Sequence, residues 1–431
     1  MGTFSGTGTA IAYADPYLSG RAPELVFINF GVQREVIKNL TISANYVESQ
    51  GHFIGGAANI RGLQSGELDP QYLALGANLA KAATPANLAA ATQATGITLS
   101  VPYAGYTTAA GLSSNASIAH MLTWMPQYAG STDTWGDVAN TNYNALQVSL
   151  ALRETHGLTL NLNYTFSKNI DDAGTQRSGY GIPASATLAG IPYQQNRIDR
   201  SLSINSQPQS LSIFGVYELP FGKGHIGGEN RITRAVLTGW ETAHIMQYAS
   251  GVPLALTATC SATQNVGQGT CMPDINPNFH GSPRINGGWG TGVTAATLGT
   301  LQYIAGGLPG IAGGGVGSTK TTLVSCTAST GPFCDSGNYT IGDAPRIAPY
   351  GLRGQNLFRL TSSVRRTFDI TDRFKFIFAV DCQNVTNHVT FGNNAENNQI
   401  GVNVDSATAL GTLNFATADS RAFQFSGRIT F

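Results

Sequence analysis

The residues in this chain best suited to chemistry are five cysteines, seven histidines and one pair of adjacent carboxylates. Cys260 and Cys271 stand eleven apart in a Gly/Asn/Pro-rich stretch, and Cys326 and Cys334 stand eight apart in another. Each spacing suits a disulfide that closes a local loop in an oxidising compartment. Zinc is the rival reading, but neither pair has a CxxC spacing or a neighbouring histidine, so two loop disulfides are expected. Cys382 is left over on an expected strand, as a buried or lipid-facing thiol. The histidines (His52, His120, His156, His225, His244, His280 and His388) are scattered, with no HExxH or paired spacing. Asp171-Asp172 directly follows an expected strand and could seat a cation. No further ligand pattern follows it, so a solvated loop start is the expectation. The glycine-rich stretches 267–269 and 313–317 lack the Lys-Ser/Thr helix start of a phosphate cradle. Pro220-Phe-Gly-Lys-Gly224 looks in part like such a cradle but falls at an expected turn. No catalytic, cofactor or metal residue is assigned, and no enzyme is expected.

Function is therefore sought in the elements that would carry these residues. The 431 residues include 24 basic and 24 acidic side chains, so no electrostatic case exists for nucleic acid. Only 11% of residues are charged, well below the roughly 25% of soluble domains. Mean hydropathy is nonetheless −0.04, and no run of eighteen apolar residues is present. That combination argues against a helical membrane protein but not against a membrane β-barrel, because every second barrel residue faces a wet lumen.

The chain repeatedly alternates with the period of a strand. At its end, Phe423, Phe425, Gly427, Ile429 and Phe431 fall on one side and Ala422, Gln424, Ser426, Arg428 and Thr430 on the other. A soluble sheet alternates in the same way; an aromatic strand of membrane-spanning length ending on Phe431 points instead to the closing strand of an outer-membrane barrel. Leu158, Leu160, Leu162, Tyr164 and Phe166 share a face within Gly157–Lys168, after a strand carrying Leu146, Val148, Leu150 and Leu152. The short link 154–157 makes these a hairpin. Leu25–Glu35 with Lys38–Glu48, and Asn356–Phe368 with Arg373–Cys382, make two more. The first would face Val26, Ile28, Phe30 and Val32 outward beside Leu40, Ile42, Ala44 and Tyr46. Ser210–Leu219 and a strand starting near Leu237, of ambiguous facing, bring the count to nine. Thr7–Ala14 is a candidate tenth.

Short links near 35–38, 153–157, 220–236 and 369–373 alternate with long ones over about 50–140, 169–208, 258–355 and 386–420. Short turns on one side and long loops on the other are the outer-membrane pattern. With the short links in the periplasm, the last strand runs downward and Phe431 reaches the periplasmic rim. Within the first long loop, Asp69-Pro70 reads as an N-cap and first helical residue, and the Ala-rich stretch 79–95 as a second short helix. Trp124, Tyr128, Trp135, Tyr180, Tyr193, Trp289 and Tyr303 fall in expected external loops, where an aromatic ring could stack on a ligand.

Several segments, in order along the chain, resemble TonB-dependent receptors of the Oar-like type. They are Asn142-Tyr-Asn-Ala-Leu-Gln-Val-Ser-Leu150, then Asn163-Tyr-Thr-Phe-Ser-Lys168 with Asp171-Asp172, and Tyr217-Glu-Leu-Pro-Phe-Gly-Lys-Gly224. Gly239-Trp240 with Ser250-Gly-Val-Pro253, Asn384-Val-Thr-Asn-His388 before Phe391-Gly392, and the 421–431 terminus complete the series. The resemblance implies an all-β, antiparallel up-and-down transmembrane barrel: residues 1–431 would be the C-terminal portion of a wall of about 22 strands. It implies transport in the outer membrane, with ligand gathered by long extracellular loops. It also implies an assembly machinery that reads the terminal strand through Phe423, Phe425, Ile429 and Phe431, and contact with TonB only through a plug and N-terminal portion that this sequence lacks.

The first residues, Met-Gly-Thr-Phe-Ser-Gly-Thr-Gly-Thr-Ala, lack the basic and apolar regions of a secretory signal. An outer-membrane protein needs one, so the expectation is the back part of a longer receptor, inactive by itself in coupled uptake. Two alternatives are a small passive porin or adhesin of ten strands, and a secreted, disulfide-containing carbohydrate-binding β-protein. Tyr46, Tyr164, Phe166, Tyr217 and Phe431 lie near strand ends, as interface girdles require, which argues against the secreted reading.

Overall fold

The structure is a computed structural model. It describes residues 10–13, 20–54, 69–106, 116–122, 126–128, 130–133, 137, 139–172, 200–222, 226–227, 237–254, 274–280, 325–327, 332–335, 337, 343–345, 347–371, 373–388 and 420–431.

Among the described residues, nine long strands form one antiparallel meander: β1 (Glu24–Ile37), β2 (Leu40–Ile54), β3 (Ala139–Thr155), β4 (Leu158–Asp171), β5 (Gln209–Glu218), β6 (Trp240–Ala249), β7 (Leu357–Asp369), β8 (Lys375–Gln383) and β9 (Ala422–Thr430). Each pairs with its neighbours in sequence, from β1 at one edge to β9 at the other, and the sheet is not closed. The strands are 9 to 17 residues long, enough for the roughly 9–11 that a tilted strand needs to cross a bilayer. No described helix is long and apolar enough to cross.

The candidate tenth strand is a correction. Ala10–Tyr13 is extended but pairs in parallel with Gly130–Asp133, in a ribbon apart from the wall. The tenth member of the large sheet is instead the two-residue segment Ser201–Leu202, against Ile170 and Asp171 of β4.

Register decides which side chains share a face, because directly opposed residues point the same way. Leu40, Leu152, Leu160, Gly215, His244, Ser362, Cys382 and Phe423 lie in one row across eight strands. Two residues further along, Ile42, Leu150, Leu162, Ile213, Met246 and Leu360 form the next row. The apolar sets seen in the sequence therefore fall on a single side. The ambiguous strand resolves with them: Trp240, Thr242, His244, Met246 and Tyr248 of β6 join the apolar side. The opposite face carries Ser43, Ser149, Asn163, Ser212, Gln247 and Arg359. Polar groups on the apolar side are matched locally. His244 Nδ1 is 2.8 Å from Ser362 Oγ. Arg366 packs its guanidinium over Phe368 at 4.2 Å and Trp240 at 5.6 Å.

Short turns sit at one end of the wall. His156 and Gly157, with φ of 53° and 81°, join β3 to β4 in the two-residue, twice-positive form whose twist matches antiparallel strands. Asn39 (φ 70°) turns β1 into β2 and donates its backbone N–H to Glu35. At the other end, helices appear in the first long loop. Asp69 caps a 3-10 helix at Pro70–Ala80 by accepting from Gln71 N, and Thr84 caps the α-helix Pro85–Thr95, which Gly96 ends in the left-handed conformation. Together with Ile118–Met121 these helices bury Leu75, Leu79, Ala91, Tyr106 and Ile118 in a core of their own.

Two arginines tie the rim at this end. Arg21, just before β1, donates from Nε and a terminal nitrogen to Asp137 Oδ1 at 2.9 and 2.6 Å and stacks on Phe53. Arg353 donates to the carbonyls of Ser206 and Gly251, at 2.5 and 3.3 Å, joining the chain after β4 to both ends of the loop between β6 and β7. Gly251 is required at that junction, because a Cβ there would sit 1.8 Å from the Gly354 carbonyl oxygen. Gly251→Ala should push the two backbones apart and cost about 1–3 kcal/mol locally, from overpacking. Amide hydrogen exchange at Gly354, whose N–H donates to the Val252 carbonyl, should accelerate while exchange in β3 and β4 stays unchanged.

Candidate functional site

The ends of β2, β3 and β4 away from the short turns bring candidate residues together. Tyr46, Leu146 and Phe166 share a row on the apolar side and close the apolar band. From Leu158 to Phe166 the chain climbs about 20 Å along a membrane normal, at ~3.3 Å per residue and ~40° tilt. Beyond that row the same face turns polar on these three strands, with Glu48, Asn144 and Lys168 in the next row and Gln50, Asn142 and Ile170 in the one after, while β1 sets Ile28 and Val26 in those same rows. Tyr46 reaches up into it, its hydroxyl donating to Asn144 Oδ1 at 2.6 Å and lying 3.1 Å from Glu48 Oε2. Gln50 Nε2 donates to Glu48 Oε1 at 2.5 Å.

A cleft of about 320 Å³ opens above, lined by Gln50, His52, Asn140, Thr141, Asn142, Ile170, Asp171, Asp172 and Arg200. Asp172 organises it. Its Oδ1 accepts the Asn140 backbone N–H at 2.6 Å and its Oδ2 accepts Asn140 Nδ2 at 2.8 Å. An ionised carboxylate can only accept, so the Asn140 amide must turn its oxygen towards His52, whose Nδ1 lies 2.9 Å away. His52 therefore carries its proton on Nδ1. The adjacent carboxylates are not a solvated loop start: Asp171 is 6% exposed and Asp172 9%. The chain doubles back there, with Ser201–Leu202 pairing onto β4 beside them. Among the described residues no three metal-ligating side chains gather.

The remaining expected residues are placed as follows. Cys326 and Cys334 are joined by a disulfide, and Cys334 is buried beside Phe333, Tyr350 and the short pairing of Asp274–Ile275 with Phe333–Cys334. Cys260 and Cys271 lie outside the described residues. Cys382 is a free, half-buried thiol on the apolar side of β8. Phe423, Phe425, Ile429 and Phe431 are all exposed, at 60, 71, 60 and 94%. The Phe431 ring lies 6.3 Å from that of Phe374 at the short-turn end. Of the loop aromatics, Tyr128 is half-buried; Trp124, Trp135, Tyr180, Tyr193, Trp289 and Tyr303 lie outside the described residues, as do the stretches 267–269 and 313–317. In the helical core, burial pushes the Tyr106 hydroxyl up to about 12, so it stays protonated.

Sequence reading missed the cleft. The available signal was the change at Glu48, Gln50, Asn142 and Asn144, where polar residues occupy positions that the alternation assigns to the apolar side.

Burial raises the Asp172 carboxyl above its ordinary value, against the opposing pull of the Asn140 hydrogen bonds and the Arg200 charge. A native value above the unfolded one means that this group's contribution to stability grows as pH falls through the native value and is least at neutral pH. Infrared difference titration, with Asp172→Asn as the blank, should show one carboxyl band protonating at higher pH than the solvent-exposed aspartates.

The family comparison agrees with this architecture. The profile of the outer membrane beta barrel domain family matches residues 2–424. Comparison with curated proteins gives no match. Among solved structures, the ferripyoverdine receptor of the outer membrane of Pseudomonas aeruginosa is similar at 10% identity and a TM-score of 0.33, over 95% of this chain and 27% of that one. The outer membrane transporter YddB from Escherichia coli is similar at 9% identity and a TM-score of 0.36, over 99% and 34%. The copper transporter OprC is similar at 8% identity and a TM-score of 0.30, over 95% and 31%. The chain thus spans about a quarter to a third of the length of these structures. With the family profile covering nearly its whole length, the chain belongs to the outer membrane β-barrel domain family.

Proposed function

We propose that the chain forms the C-terminal portion of the wall, and the ligand-gathering loops, of an outer-membrane transporter of the TonB-dependent, Oar-like type. The observation that carries this reading is the direction of the two open edges. Nine antiparallel strands in sequence make β1 and β9 run the same way. Joined to each other they would pair in parallel, and a second copy in the same orientation would meet them with the same mismatch. Beyond the strands among the described residues, an all-antiparallel barrel is completed only by an odd number of further strands. In lipid that completion is obligatory, because an unpaired edge leaves backbone groups with no partner. The exposed rows Val26, Ile28, Phe30 and Val32 of β1 and Phe423, Phe425 and Ile429 of β9 support a wall continuing at both edges into the same apolar belt.

On this reading, energy coupling and contact with TonB belong to the completing portion, and the nine strands by themselves do not carry out coupled uptake. The terminal strand is the part read by the barrel-assembly machinery. Specificity lies in the rim loops, which the helical core, the Cys326–Cys334 loop and the Arg353 junction hold in place.

Two experiments test it. Exported alone, the chain should give no heat-modifiable band in outer membranes; joined to the protein segment encoded directly upstream in frame, it should give one. A heat-modifiable barrel from the chain alone would favour the small passive porin, and a soluble periplasmic monomer the secreted carbohydrate-binding protein. Phe431→Ala in the joined protein should lower its outer-membrane level severalfold at equal synthesis, and an unchanged level would overturn the role given to the terminal strand.

A further inference from the structure

The face opposite the apolar side has a chemistry that the transport reading leaves unassigned. We propose that its portion on β1–β5 is a track for an uncharged oligosaccharide, so that the lumen takes neutral saccharides in preference to ionic ligands. The inference deepens the transport reading and rests on this face lining the lumen. Four rows, from Phe27 to Gln33 on β1, extend across β2, β3 and β4, the two nearer the short turns reaching β5. Apart from Phe27, Gly31, Val47 and Ala145, every side chain in them ends in an amide or a hydroxyl, and none is charged. On these strands the charges of this face stand at its margins: Glu35, Arg153 and Glu218 towards the short turns, and Asp171 towards the long loops. From β6 to β9 the same face turns ionic. Glu241 pairs with Arg365 at 3.3 Å and Asp369 with Lys375 at 3.4 Å, and Arg359, Asp381 and Arg428 join them.

Charge and shape select the ligand. A pore that passes an ion replaces its lost hydration with charges or aligned carbonyls of the right sign. The four rows on β1–β5 have no charge to offer. Their amides instead present donors and acceptors side by side, which suits sugar hydroxyls, each both donor and acceptor. Gln147 and Asn163, on adjacent strands, are both exposed on this face. Asn45 lies across Gly31, where a Cβ would stand 1.9 Å from Asn45 Oδ1, so its amide runs along the face. The row nearest the long loops adds rings. Phe27 is 69% exposed, and Tyr143 stands two strands away in the same row, about 10 Å at ~4.8 Å per strand. A large ring facing water gains by stacking on an apolar surface. The C–H face of a sugar ring supplies one while its hydroxyls reach Ser49 and the neighbouring amides. Two rings at the mouth, a disaccharide's length apart, form the entry to the track.

The test uses the complete protein, with its upstream segment, purified from outer membranes in mild detergent and compared at equal amounts of heat-modifiable barrel. Isothermal titration calorimetry measures binding of neutral gluco-, xylo-, manno- and galacto-oligosaccharides, and of oligogalacturonate of the same length as the anionic probe. At least one neutral probe should bind, and oligogalacturonate at least about tenfold more weakly. Gln147→Leu/Asn163→Leu should weaken that neutral probe at least about tenfold, as expected for losing two or three hydrogen bonds. Phe27→Ala should weaken it severalfold, and Phe27→Tyr, which keeps a ring, should restore it. Phe27 lies on a different strand, so it reports on the track even where the double variant fails to assemble. Leu150→Val/Leu162→Val, on the apolar side of β3 and β4, is the control and should match wild type. Oligogalacturonate binding as tightly as the best neutral probe would overturn the proposal. So would a protein that binds no probe, or one whose affinity is equal in all variants. Each of those results leaves the transport reading intact, whereas absence of a heat-modifiable barrel from the complete protein would overturn both.

Discussion

The structure depends on the backbone hydrogen-bond ladder more than on any side chain. Inside a bilayer an N–H or C=O without a partner has no water to turn to, so strands there must be paired along their whole length. The long ladders from β2 through β8 meet that demand on both sides of each strand. Side-chain packing, which dominates in a soluble core, is secondary here. The described buried apolar side chains lie chiefly in the rim loops and helical core, and few come from the wall strands. Stability of the wall and identity of the loops are thereby separated.

That separation explains what could be read from the sequence. A strand between lipid and a wet lumen must alternate, and Leu158 to Phe166 records the alternation without ambiguity. The hairpins were legible for the same reason, although the reversal at Lys38-Asn39 falls two residues later than the link expected between Glu35 and Lys38. The helix at Pro70 was legible from Asp69, whose side chain accepts a backbone N–H at the cap. Trp240–Ala249 was harder, because His244, Thr242 and Gln247 blur the contrast between faces; pairing with β5 and β7 settles it from outside the strand.

The cleft shows where such reading stops. Its residues come from three strands and from Arg200, and only pairing brings Gln50, Asn142 and Ile170 side by side. No local spacing encodes that juxtaposition. Nor could the sequence reveal that Asp171 and Asp172 are buried, because the segment that pairs beside them, Ser201–Leu202, returns from about thirty residues further along the chain. The carboxylates looked like an ordinary loop start because, in one dimension, they are one.

The pattern of connections also has a kinetic consequence. Closing a two-residue turn fixes little chain, whereas each long rim loop must bring distant segments together, a cost that rises with the logarithm of loop length. The pairs β1–β2, β3–β4 and β7–β8 are joined by the shortest links, and β5–β6 by one of intermediate length. Hairpins are therefore the natural currency of assembly, each able to form before its neighbours are in place. In that pairing scheme β9 alone has no sibling within the sheet. It must be recruited as a single strand after a long connection, onto the edge that the β7–β8 hairpin presents.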